Sequence, residues 1–110
     1  MPKTEGPIQL IVQTIVDTIQ PERVLLFGSQ AKGTAHAGSD YDFLVVIKGI
    51  DNEREASRLI YRALLERKPG VAVDIIVVDS EKLRRHRHNP YMIYRQALRE
   101  GKVCYERPTT

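Results

Sequence analysis

Two aspartates, Asp40 and Asp42, stand just ahead of the apolar run Phe43 to Ile47, and an earlier apolar run, Val24 to Phe27, stops at Gly28-Ser29. Both runs have the length and composition of strands, so the chain delivers a small-residue turn and two carboxylates to strand ends. Strand side chains alternate between faces, which puts Asp40, Asp42, Leu44 and Val46 on one side and Tyr41, Phe43, Val45 and Ile47 on the other. Like charges this close repel and raise each other's pKa. A hard divalent cation removes the conflict, and Mg²⁺ is commonly held by one or two carboxylates together with substrate phosphates. Gly28-Ser29 supplies the complementary part: backbone amides that a phosphate can approach with no Cβ in the way, and a hydroxyl donor. Gln30 to Lys32 are good helix formers, so Ser29 is predicted to open a short helix whose first amides favour an anion.

A third acid, Asp74, interrupts the apolar stretch Val71 to Val78 between Val73 and Ile75. A charge in such a run is rarely buried without a partner, which makes Asp74 the third candidate ligand.

The string Gly28-Ser29-x-Ala31-x-Gly33, followed after five residues by Ser39-Asp40-x-Asp42, resembles the nucleotidyltransferases related to DNA polymerase beta. It is most similar to the minimal nucleotidyltransferases that pair with HEPN-domain partners. The resemblance implies that Asp40, Asp42 and Asp74 are the catalytic carboxylates and hold Mg²⁺, two ions in all, and that Gly28, Ser29, Lys32, Gly33 and Ser39 hold the nucleotide. Many members carry Arg where this chain has Lys32, which keeps the charge and lacks the planar fork. His36, in the loop between the two halves of the motif, reads as an exposed loop histidine.

The elements that position these residues follow from periodicity. Pro7 suits a first helical turn, Ile8, Ile11, Val12, Ile15 and Ile19 form one face, and Pro21 ends the segment. Asp51 or Asn52 caps a second long helix, Glu55 completes a capping box with Asn52, and Ala56, Leu59, Ile60, Ala63 and Leu64 form its stripe up to Pro69-Gly70. Asp79 or Ser80 starts a further helical turn through Glu81 to His88, Asn89-Pro90 resets the chain for a helix over Tyr91 to Glu100, and Gly101 stops it. A short last strand carries Val103-Cys104-Tyr105. Strands alternating with helices predict one α/β domain over residues 1–110, a small mixed sheet flanked by helices, and the resemblance implies the polymerase-beta-like nucleotidyltransferase fold.

Composition narrows the setting. No run approaches the roughly 20 apolar residues of a membrane span, and no secretory leader is legible, so a cytoplasmic location is expected. The single cysteine, Cys104, excludes an internal disulfide and reads as a small buried hydrophobe. A net charge of +3 is compatible with an anionic partner. The run Arg84-Arg85-His86-Arg87-His88 is the densest positive cluster. With Tyr91 and Tyr94 it is a candidate docking face or a nucleotide-phosphate contact; nucleic acid is not expected as a partner.

The resulting expectation is an enzyme that transfers AMP from ATP to a hydroxyl, with the resemblance implying a tyrosine of a HEPN-domain toxin and an antitoxin role. So short a chain is expected to build the nucleotide half of the site and leave the acceptor to a separate protein. The alternative is a non-catalytic antitoxin that occludes its partner. Three acids together favour the enzyme, because occlusion has no use for them. Homo- or hetero-oligomerisation stays open.

Overall fold

In the computed structural model, residues 6–33, 40–86, 88–89 and 93–108 are described. The first helix, α1, spans Pro7–Ile19 with the proline in its first turn, and Gln20 closes it in the left-handed conformation. Strand β1 (Arg23–Phe27) leads through Gly28 into the one-turn helix α2 (Ser29–Lys32). Strand β2 covers Tyr41–Ile47. Helix α3 (Glu53–Arg67) starts at Asn52, whose side chain accepts the Glu55 amide at 3.0 Å, the cap expected from the sequence. Strand β3 (Val73–Asp79) runs into α4 (Ser80–His86), and α5 (Ile93–Glu100) turns at Gly101 into β4 (Lys102–Glu106).

The four strands form one sheet in the order β3-β2-β1-β4. β1 pairs antiparallel with β2 and with β4, whereas β2 and β3 are parallel. The parallel pair needs a crossover, and α3 provides it. Alternation along the strands then divides the apolar residues. Val24, Leu26, Phe43, Val45, Ile75 and Val77 meet Ile11 and Ile15 of α1 and Ala56, Ile60 and Leu64 of α3. Leu25, Phe27, Leu44, Val46 and Val78 meet Leu83 of α4 and Tyr94 and Ala97 of α5 on the opposite face. The fold is the mixed sheet flanked by helices that the periodicity predicts.

Three details differ from the sequence expectation. The third strand begins at Val73, because the chain is still completing the turn at Gly70 (φ +79°) after the left-handed Lys68. Leu59 is 42% exposed. The buried line of α3 follows the strict four-residue spacing Ala56, Ile60, Leu64, and Leu59 lies beside it. Tyr94 is buried in the second core cluster, which removes it from any docking face; Tyr91 lies outside the described residues.

Asp79 joins several elements at the end of β3. Its carboxylate accepts the amides of Ile50 at 3.0 Å, Glu81 at 2.9 Å and Lys82 at 3.3 Å, which caps α4 and secures the turn after β2. These bonds, that from Ile50 foremost, hold its pKa below the ordinary value. Among the described residues no helix is long and apolar enough to cross a membrane.

Gly101 makes the turn between α5 and β4 possible. A Cβ there would sit 2.3 Å from the Ala97 carbonyl oxygen and 3.1 Å from that of Leu26. Both obstacles are backbone and cannot rotate away. Gly101→Ala is therefore expected to destabilise the protein by about 1–3 kcal/mol, the usual cost of overpacking; urea unfolding followed by circular dichroism would check this, and an unchanged midpoint would contradict it.

Candidate active site

Asp42 and Asp74 are register partners on the parallel strands β2 and β3. Their α-carbons are therefore neighbours across one strand spacing, about 4.8 Å, and their side chains leave the sheet on the same face. Asp40 precedes β2 by one residue and falls on that face by alternation. On the other flank, Phe27 is the register partner of Asp42, so the turn that follows it lies beside the carboxylates. The structure thus brings together Gly28, Asp42 and Asp74 from three adjacent strand ends.

Gly28 fits this place for two reasons. Its backbone, at φ +75° and ψ −156°, occupies a region essentially restricted to glycine. A Cβ on it would also come within 2.5 Å of Asp42 Oδ2. The missing side chain is what lets the carboxylate stand against the turn. The Gly28 carbonyl accepts the amides of Ala31 and Lys32, which starts α2 with Ser29 as its first residue, as expected.

The other sequence-predicted residues fall as follows. Gly33 closes α2 in the left-handed conformation with open space around it. Lys32 is exposed, and its ammonium pairs with Glu100 of α5 at 2.8 Å, which holds the Glu100 pKa low. A pair this open to solvent is worth about 0–1 kcal/mol, so the lysine can exchange it for a phosphate at little cost. Ser39 and His36 lie outside the described residues.

Electrostatics mark Asp42 as the centre of the site. Partial burial first, then the charges of Asp74 and Asp40, push its pKa above the ordinary carboxylate value. Asp42 senses the other two acids, yet no group of three or more His, Cys, Asp or Glu among the described residues is arranged closely enough to hold a metal ion as a finished set. The Coulomb effect on Asp42 and the shared strand-end face place them as neighbours; their mutual repulsion disfavours closer approach. Three carboxylates with a half-buried one at the centre are a donor set suited to a hard divalent cation.

Tyr61 of α3 is a contact that periodicity did not signal. Its hydroxyl donates to Asp74 Oδ1 at 3.3 Å and accepts the Ile75 amide at 2.7 Å. Burial, opposed in part by the Ile75 bond, and the nearby Asp74 charge raise its pKa, so the phenol keeps its proton for Asp74. Residue 61 falls off the buried stripe of α3, and nothing in the chain order links it to Asp74.

With this geometry in place, similarity to known proteins becomes informative. A family profile described as Nucleotidyltransferase domain matches residues 9–104. The protein adenylyltransferase MntA of Aphanizomenon flos-aquae is 32% identical over 93 residues, an alignment covering 77% of this chain. The chain spans 57% of the length of that relative. Among solved structures, a toxin–antitoxin complex with AMP-PNP superposes with a TM-score of 0.64 at 22% identity, covering 90% of this chain and 73% of the other. A candidate nucleotidyltransferase from Sulfolobus solfataricus gives 0.57 at 24%, covering 97% of this chain and 93% of its own. These structural likenesses establish the fold.

The crowding of acids has a consequence for stability. A carboxylate whose folded pKa is raised weakens the fold when ionised; the penalty is complete above its folded pKa and disappears as pH falls towards the unfolded value. Asp42→Asn is therefore expected to melt at a higher temperature than the wild type in EDTA at pH 8, with the gap closing as the pH is lowered through the Asp42 pKa. Calorimetry across pH would test this, and a variant less stable at pH 8 would contradict it.

Proposed function

Because the chain belongs to the nucleotidyltransferase domain family, we propose that it transfers AMP from ATP to a tyrosine hydroxyl of a HEPN-domain toxin, acting as that toxin's antitoxin. The reading is carried by the Asp42–Asp74 register beside Gly28, which brings two carboxylates and a glycine turn to one place. Similarity to a protein adenylyltransferase, and to an antitoxin fold seen in a complex with AMP-PNP, supports the substrate and the partner class.

Asp40, Asp42 and Asp74 are the residues that would hold Mg²⁺, two ions in this reading. Bound there, Mg²⁺ offsets phosphate charge and lowers the pKa of the acceptor hydroxyl. The Gly28 turn and the Ser29 hydroxyl hold the β- and γ-phosphates, Gly33 and Ser39 complete the nucleotide loop, and Lys32 adds a positive charge at its edge. The acceptor oxygen forms a bond to the α-phosphorus while the bond from that phosphorus to the β-bridging oxygen breaks, and pyrophosphate departs. The acceptor's proton passes to Asp74, whose carboxylate Tyr61 orients. Positioning and electrostatics account for the rate, with no covalent intermediate required of the chain.

Of the run Arg84 to His88, Arg87 lies outside the described residues. Arg84 and His88 line a cleft beyond the far ends of β2 and β3, and Arg84 is already paired with Glu81 at 3.3 Å. In this reading the acceptor tyrosine approaches Asp74 along the sheet edge formed by β3, beside Tyr61.

The direct experiment incubates the protein with α-labelled ATP, Mg²⁺ and its co-purifying partner, and maps the label by mass spectrometry. Label is expected on a partner tyrosine. Asp42→Asn should reduce transfer by roughly two orders of magnitude or more, and Asp74→Asn should impair turnover more than ATP binding. Efficient labelling of a small molecule or an RNA end, with the partner untouched, would overturn the acceptor assignment.

Saturating Mg²⁺-ATP should also stabilise the fold, because it binds the folded state. At 100 times Kd the gain is about 2.7 kcal/mol, or roughly 10 °C in Tm for a domain near this size. A thermal scan with no shift would contradict both the metal and the nucleotide assignment.

A further inference from the structure

The opposite end of the sheet carries a second feature, unrelated to the carboxylates. A cleft of about 860 Å³ opens where β1 begins and where β2 and β3 end, walled by α4 and α5. From Asp42 to Lys48 the chain advances six strand residues, about 20 Å, so the cleft and the acids occupy opposite ends of the strands. Five arginine or lysine side chains and His88 line it, against three acids.

Five cations against the three acids Glu22, Asp79 and Glu81 leave the lining net positive. Asp79 is engaged by the amides of Ile50, Glu81 and Lys82. Glu81 pairs with Arg84. Among the described residues, Arg23, Lys48 and Arg95 enter no ion pair. Arg95 and Arg99 are one helical turn apart on α5, so they project from one side of the helix. Leu98, only partly buried, adds apolar surface to the lining. The Ile50 amide, donated to Asp79, ties the turn that carries Lys48 to the end of β3.

An anion bound in this concavity would supply the charge that the lining lacks. The volume falls within the range of small-ligand pockets, roughly 300–1,000 Å³. Guanidinium forks match phosphate oxygens, and apolar surface in the lining suits a ring or base. An extended acidic peptide would be better served by cations strung along a face than by cations converging on one hollow. We propose that this cleft is a second anion site, which takes the phosphate of a nucleotide, either free or at the end of a nucleic-acid strand, without a metal ion and independently of the Asp42 site.

The test measures binding of fluorescent AMP, and separately of a short 5′-phosphorylated RNA, by the full chain carrying Asp42→Asn, in EDTA, with NMR mapping of the contacted amides. Saturable binding that shifts the amides of Lys48, Arg95 and Leu98 is expected for at least one probe. AMP binding identifies a free nucleotide as the source, and binding of the RNA alone identifies a strand end; either supports the site. Lys48→Ala and Arg95→Ala, both on the surface, should each weaken binding about tenfold, and affinity should fall as salt rises. In the chain with Asp42 intact, the same substitutions should leave Mg²⁺-dependent ATP binding unchanged. No binding of either probe, binding indifferent to both substitutions, or binding of a polyglutamate peptide in place of both probes would overturn the proposal.

Discussion

The parallel pairing of β2 with β3 places Asp42 beside Asp74, and the chemistry at this end of the molecule depends on that register. A slip of one residue would send one carboxylate to the opposite face, into the layer occupied by α1 and α3. Such a slip is opposed by the same alternation that buries Phe43, Val45, Ile75 and Val77, so apolar burial holds the charged pair in place. The cost is visible in Asp42, whose pKa is raised by partial burial and by the other two acids. Concentrating like charge at one place in this way works against stability.

Gly28 is the second part of that constraint. Its positive φ, and Asp42 Oδ2 standing within 2.5 Å of where a Cβ would be, make glycine the residue that fits between turn and carboxylate. The close packing of Asp42 against that turn depends on the absent Cβ. Tyr61 extends the arrangement to the sheet edge by bridging Asp74 and the Ile75 amide. It links α3, the crossover that makes the parallel pair possible, to the acid which that pair positions.

A net charge of +3 hides how unevenly the charge is distributed. Asp42 and Asp74 lie at one end of the strands, five cations line the cleft at the other, and Asp79 at the cleft has its charge engaged by backbone amides.

Much of the site was legible because its parts are local. The Gly28-Ser29 turn, the Asp40–Asp42 spacing, the Asn52 cap and the stops at Pro21 and Gly101 express short-range preferences of φ, hydrogen bonding and strand alternation, which a reader of the chain can apply residue by residue. The same holds for the helices, apart from Leu59, whose exposure depends on how α3 rolls against the sheet. The order β3-β2-β1-β4, the Asp42–Asp74 register, the Tyr61 bridge, the Lys32–Glu100 pair and the burial of Tyr94 were decided by tertiary structure. Each joins residues far apart in the chain, and side-chain spacing along one element carries no information about what another element brings to meet it. The cationic cleft is the clearest case: Arg23, Lys48 and Arg95 lie on three separate elements, and only the folding of the sheet makes them neighbours.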